Sequence, residues 1–185
     1  MTEGERFGVL LTVAYDGTRF SGFARQRDTR TVAGELDGAV RAIDPSASLV
    51  RGVSRTDAGV HAFAQRVAFD TRLDIPPRGW ALALAQHTRD EIAVVRAARV
   101  PPGYDPRGHT LRKTYRYVIL RSAVRDPFWN RRAWRIGDRL NHELLREEAD
   151  ALVGQHDFRG FRTSSDRRTE TVRTIVRVDV RSGAP

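Results

Sequence analysis

Apolar and polar positions along this chain change places in short runs, each bounded by glycine, proline or aspartate, as strands and helices of an α/β protein are punctuated. Residues 9–15 are apolar and β-branched up to the turn pair Asp16-Gly17, and predict a first strand. Thr31 predicts the cap of a helix running to about Ile43, with Val32, Leu36, Val40 and Ile43 on one stripe; Asp44-Pro45 stops it. Residues 48–53 predict a short strand. Over 61–71, Phe63, Val67 and Phe69 alternate with polar or small residues, as in a half-buried strand. A helix over 80–87 follows Pro76-Pro77, and a strand over 92–95 follows the helix. This half is an alternating α/β unit, expected to have mixed sheet order.

Val100-Pro101-Pro102-Gly103 reads as a linker, dividing a first subdomain over 1–100 from a second over 104–185. Beyond it, residues 114–120 predict a strand. Asn141 predicts the cap of a helix to about Val153, with Leu144, Leu145, Ala149 and Leu152 facing inward and Gly154 closing it. Residues 172–180 predict the clearest strand, with Val172, Thr174, Val176, Val178 and Val180 on one face and Arg173, Ile175, Arg177, Asp179 and Arg181 on the other. A repeat of the first half would need more sheet and another helix, so the second subdomain is expected to be incomplete. There is no low-complexity tract and no short repeat.

Composition narrows the partners. A chain of 185 residues, 40% apolar and 30% charged, is ordinary globular material. The absence of cysteine excludes disulfides, iron–sulfur clusters and thiolate zinc sites, and fits a reducing cytoplasm. No apolar run approaches membrane-spanning length, and residues 1–8 show no signal pattern. The net charge is +9, and of 32 basic residues only Lys113 is lysine. Arginine's planar fork pairs bidentately with phosphate and stacks on bases, which puts nucleic acid ahead of membrane or acidic metabolites. Codon bias in a GC-rich genome explains arginine over lysine, but not the excess of positive over negative charge.

The chemistry-bearing segment is Gly52-Val53-Ser54-Arg55-Thr56-Asp57-Ala58-Gly59-Val60-His61-Ala62, a loop between two predicted strands. Gly59 permits a turn with positive φ, and Ala58 keeps the approach to Asp57 open. Asp57 then reads either as a functional carboxylate beside the Arg55 cation, or as an aspartate bonding its own turn amides with Arg55 as a surface ion pair. Asp16 and Gly17 fit an RNA-lining position or an ordinary turn. His61, His87, His109, His142 and His156 are scattered, so no metal site is expected, and His61 reads as an orienting residue of the loop.

These eleven residues resemble the signature of the tRNA pseudouridine synthase A family, glycine-arginine-threonine-aspartate-alanine-glycine-valine-histidine-alanine. Ser54 stands for the first glycine, and eight consecutive residues match from Arg55 to Ala62. Tyr15-Asp16-Gly17-Thr18-Arg19-Phe20-Ser21-Gly22-Phe23 resembles the family's first motif, with Phe23 in place of a tryptophan. Thr31-Val32-Ala33-Gly34-Glu35-Leu36 is similar to the start of its first helix. Arg107, Lys113, Tyr115 and Tyr117 resemble the segment holding the active-site tyrosine, here Tyr115. Gly154-Gln155-His156-Asp157-Phe158 with Phe161-Arg162, and Thr171-Val172-Arg173-Thr174-Ile175, match later motifs, so the resemblance covers about residues 9–180.

The resemblance implies an α+β pseudouridine synthase fold, with two RRM-like, ferredoxin-like subdomains around a central, mostly antiparallel sheet. It implies an isomerase that converts uridine to pseudouridine in the tRNA anticodon stem-loop, in the cytoplasm, as a homodimer and without cofactor. Uracil in a stem must first be flipped from the stack. By the same resemblance Asp57 is the nucleophile or base. Tyr115 offers an aromatic face and a hydroxyl to the extruded base, and Arg55 pairs with phosphate or fills the vacated space. Arg19, Arg107 and Lys113 contact RNA. Family members also carry, past the strand near Val180, a phenylalanine-leucine-arginine-x-methionine-valine-arginine segment whose arginine pairs with the aspartate. Here Ser182-Gly183-Ala184-Pro185 reads as a loose tail. A fragment or trimmed form of a full enzyme is therefore expected, ahead of a natural truncation that only binds RNA or a site completed by a partner. A non-catalytic RNA-binding module is the rival class. It accounts for the charge but not for the Arg55-Thr56-Asp57 loop.

Overall fold

The computed structural model describes residues 5–137, 140–162 and 169–183, and the chain divides between Thr114 and Tyr115 into two compact units. The first unit runs β1 (Phe7–Tyr15), α1 (Val32–Ile43), β2 (Arg51–Gly52), β3 (Ala62–Thr71), α2 (Pro77–His87) and β4 (Ile92–Val100). Its sheet has the order β2-β3-β1-β4, with every neighbouring pair antiparallel. This is the β-α-β-β-α-β arrangement of split β-α-β folds. It corrects the mixed order expected above. Strands joined through a helix point the same way but never touch, because β3 inserts between β1 and β2, and β1 between β3 and β4.

Alternate residues of β1, Val9, Leu11, Val13 and Tyr15, belong to the buried core with Val67 and Phe69 of β3. Val32, Leu36 and Val40 of α1 are wholly excluded from solvent, the i, i+4, i+8 stripe of an amphipathic helix. Trp80 of α2 meets Phe69 edge-on at 5.0 Å. Thr31 Oγ1 caps α1 by accepting from Gly34 N at 3.2 Å. Asp44 ends the helix and ties it to β3, accepting from Thr71 Oγ1 at 2.5 Å and Arg72 N at 3.1 Å. Burial raises the Asp44 pKa, but the bonds from Thr71, Ser46 and Arg72 outweigh it and hold the carboxyl at about 2.

Both neighbours of β1 bulge near its Tyr15 end. The β3 register shifts between Val13↔Gln65 and Tyr15↔Ala62, and the β4 register between Thr12↔Arg96 and Val13↔Val94. Bulges increase local twist and re-aim side chains. The chain after β4 does not leave the sheet at once. Gly103 N donates to Asp70 Oδ1 at 2.9 Å and Arg51 to Tyr104 O at 3.3 Å, so the Val100-Pro101-Pro102-Gly103 turn stays with the first unit.

In the second unit β5 (Ile119–Arg121) and β6 (Trp134–Ile136) pair in parallel. α3 (His142–Asp150) follows, then β7 (Gly154–Asp157) pairs antiparallel with β8 (Val172–Ile175). Asn141 Oδ1 caps α3, accepting from Glu143 N and Leu144 N, and Gly154 takes a φ of +114° where the chain enters β7. The strand expected over 114–120 is confined to Ile119–Arg121, leaving Tyr115 and Tyr117 exposed. The strand expected over 172–180 ends at Ile175, because β7 offers only four residues to pair with. Leu144 and Leu152 do not face inward but are exposed, and Ala149 is the one buried apolar residue of this unit among those described. No helix among the described residues is long and apolar enough to cross a membrane.

Candidate active site

The loop joining β2 to β3 carries the Arg55-Thr56-Asp57 signature. Val60 N donates to Asp57 O at 3.2 Å, closing a four-residue turn, and Gly59 at its third position has φ +78°. That is where a type II turn needs glycine. A Cβ on Gly59 would meet nothing within 4 Å, so the requirement there is conformational and not spatial.

The Tyr15–Phe23 stretch grips this loop from outside. Phe23 N donates to Thr56 O at 3.0 Å and Gly59 N to Phe20 O at 3.3 Å. The Tyr15 hydroxyl bonds Thr56 Oγ1 at 2.8 Å. Gly17 N donates to His61 Nδ1 at 3.2 Å, and the same nitrogen lies 3.1 Å from Asp16 Oδ1. Three glycines make the approach possible. A Cβ at Gly17 would stand 2.0 Å from Val60 O, and one at Gly22 (φ +93°) 2.8 Å from Thr56 O. A third at Gly52 would lie 2.3 Å from the Phe23 ring. From the sheet side, buried Gln65 donates through Nε2 to Ser54 O at 2.6 Å, and Arg107 Nε donates to Gly52 O at 3.1 Å. Burial pushes the Tyr15 phenol up, against the smaller effect of its Thr56 bond, so it remains protonated well above neutral pH.

What the clamp leaves outside is the chemistry. Thr56 turns in toward Tyr15, while Arg55 and Asp57 on either side are exposed. They form no ion pair with each other, which corrects the paired carboxylate and cation considered from sequence, and neither side chain meets an ionic partner among the described residues. The arrangement is a carboxylate presented to solvent from a fixed backbone, beside an uncommitted guanidinium.

Of the other sequence-predicted residues, Arg19 and Arg107 meet this loop. Arg19 lies on the 3-10 turn Gly17–Arg19 that packs against the loop; it is 77% exposed and 3.7 Å from Glu91. Arg107 holds the loop base through Gly52 O. Lys113 is exposed in the first unit, and Tyr115 is 73% exposed in the second. Among the described residues no group of three acidic or histidine side chains could hold a metal ion. Sequence reasoning missed Tyr15, Gln65 and Gly22 as positioning residues. The one available signal was the pair of glycines, Gly17 and Gly22, within a single short motif.

A family model described as tRNA pseudouridine synthase matches residues 11–107. Proteins named tRNA pseudouridine synthase A from Pseudothermotoga lettingae, Agrobacterium fabrum and Bacillus subtilis are 40%, 38% and 38% identical to the chain. The alignments cover 92%, 92% and 91% of this chain and 70%, 65% and 69% of the relatives. The chain thus spans about two thirds of the length of these curated relatives.

Proposed function

The chain belongs to the tRNA pseudouridine synthase family, whose enzymes are isomerases, and we propose that it converts uridine to pseudouridine in the tRNA anticodon stem-loop with Asp57 as its central catalytic group. The observation that carries this reading is the exposed Asp57 carboxylate on a loop fixed by backbone bonds on both flanks. In the reaction the N1–C1′ glycosidic bond breaks and a C5–C1′ bond forms. A proton leaves C5 and N1 gains one, so composition is unchanged and no cofactor is consumed. A carboxylate serves such a path by attacking the base or the sugar, or by taking a proton from the sugar. The target uracil is flipped from its stack, Tyr115 provides the aromatic face that receives it, and Arg55 meets phosphate or fills the gap. Arg19 and Lys113 add phosphate contacts. The reading includes a homodimer acting in the cytoplasm, the two units corresponding to the two ferredoxin-like subdomains of the family fold.

The test is release of tritium from tRNA transcripts labelled at uridine C5. Wild type should release label. Asp57→Asn should lose on the order of 10³-fold or more in rate, while its tRNA affinity stays within about threefold. Turnover retained in Asp57→Asn would overturn the assignment. Tyr115→Phe should bind tRNA normally and turn over slowly if the phenol moves a proton. Full activity in both Tyr115→Phe and Tyr115→Ala would remove Tyr115 from the site.

A further inference from the structure

The sheet face turned away from α1 and α2 is covered unevenly. Around Gly8 and Asp70 it anchors the chain that follows β4, through Gly103 N on Asp70 Oδ1, and a Cβ on Gly8 would lie 2.3 Å from Pro101 O. Toward the Tyr15 end its Ala64, Arg66 and Arg96 are exposed. There the register sets Arg66 of β3 opposite Thr12 of β1, and Thr12 opposite Arg96 of β4. Directly opposed residues share a face and strands are about 4.8 Å apart, so two arginines stand roughly 10 Å apart with a hydroxyl between them. Arg66 Nη1 donates to Thr12 Oγ1 at 2.9 Å, which lays that guanidinium along the sheet and leaves its other donors uncommitted.

Several arginines of the unit meet carboxylates: Arg25 with Asp37, Arg30 with Glu35 and Glu91, Arg51 with Asp70 and Arg99 with Asp74. Arg66 and Arg96 are exposed and pair with no carboxylate among the described residues. Two neighbouring cations without a counter-charge repel, and an anion placed between them relieves that repulsion. Guanidinium groups are matched to phosphate oxygens in geometry as well as charge. The row and the loop share one end of the sheet: Thr12 stands three residues, about 10 Å of strand, before Tyr15, whose side chain turns to the opposite, core face and holds Thr56 next to Asp57.

We propose that Arg66, Thr12 and Arg96 form a phosphodiester-binding row that takes the RNA backbone beside the nucleotide presented to Asp57. The proposal rests on the reading of the chain as a tRNA-modifying enzyme. Affinity of the full chain for an unmodified tRNA transcript, measured from about 50 to 200 mM salt, tests it. Arg66→Gln/Arg96→Gln should flatten the slope of log affinity against log salt by about 2, about one per lost phosphate contact, and weaken binding on the order of tenfold. Thr12→Val should weaken it less, by releasing Arg66. Arg96→Gln alone, which breaks no hydrogen bond or ion pair among the described residues, should lower the slope by about 1. The control removes the same charge from the helix side with Arg41→Gln/Arg78→Gln, both residues being exposed on α1 and α2, and should leave the slope near wild type. Equal losses in the row variant and the control would reduce the effect to net charge and overturn the proposal. So would wild-type affinity and slope in the row variant. Tritium release by wild type is read on the same tRNA. Its absence counts against the function and not against the row, which the binding slopes alone decide.

Discussion

The two units use similar parts and reach different ends. In the first, α1 is capped by Thr31 and lays Val32, Leu36 and Val40 against a four-stranded sheet, where all three disappear from solvent. In the second, α3 is capped as well by Asn141, yet among the described residues the strands before and after it form two-stranded pairs. Leu144 is half-exposed, and Phe128, Trp134 and Phe161 are 70–83% exposed. A cap and an apolar stripe make a helix, but a core needs a sheet wide enough to receive the stripe, and two-stranded pairs are marginal by themselves. The contrast separates local from cooperative structure within one chain.

The sharpest way to break this comparison is Leu36→Ala. It should cost about 2–5 kcal/mol of the first unit's unfolding free energy, read from urea unfolding, through lost burial and the cavity left behind. A cost under about 1 kcal/mol would mean that this core is as loose as the second unit's. Acid titration probes the same unit from its helix end. Because the Asp44 pKa is lowered from 3.8 to about 2 in the fold, its contribution is complete above pH 4 and is lost as pH falls through 2. Asp44→Asn should remove that part of the acid dependence while lowering stability at neutral pH.

Gly22→Ala should cost about 1–3 kcal/mol, because φ +93° and the contact with Thr56 O both oppose a side chain. Its turnover should fall while tRNA affinity holds, which separates loop displacement from loss of the interface. Tyr15→Phe removes one hydroxyl bond, worth about 1 kcal/mol, and should lower kcat without raising KM. Thr56→Val should match it, Thr56→Ser should restore activity, and the two losses should not add. The smallest effect belongs to the second unit. Leu144→Ala should change stability by no more than about 0.5 kcal/mol, and a larger loss would show that something covers α3.

Much of this is legible in the chain, and the limits are physical. The α1 stripe, its Thr31 cap and its stop at Asp44 follow from local rules, and the structure places them there. The family follows from eight consecutive signature residues, with the matching family model and relatives. The glycine at position 59 is a turn requirement that any sequence would reveal. Tyr15 and Thr56 are forty-one positions apart, and nothing local announces that their hydroxyls meet. Gly22 carries a close backbone approach that becomes visible only once the loop is folded against it. The alternation over 114–120 and 172–180 overstates the strands for a related reason. Alternation reports a face that could be buried, but a strand persists only where a neighbour supplies the ladder, and β7 supplies four residues.

The grip on the Arg55-Thr56-Asp57 loop decides which partner must move. Freezing a residue's backbone costs about 1–2 kcal/mol of conformational entropy. A loose loop of this length would meet that cost at every encounter, whereas a loop anchored at Ser54, Thr56, Gly59 and His61 has met it once, during folding. With the backbone beneath the carboxylate stationary, deformation falls on the nucleic acid. In the reaction proposed, uridines would then be ranked by how readily each one swings out of its helix, so a weakly stacked site would be modified ahead of a rigid one bearing the same base.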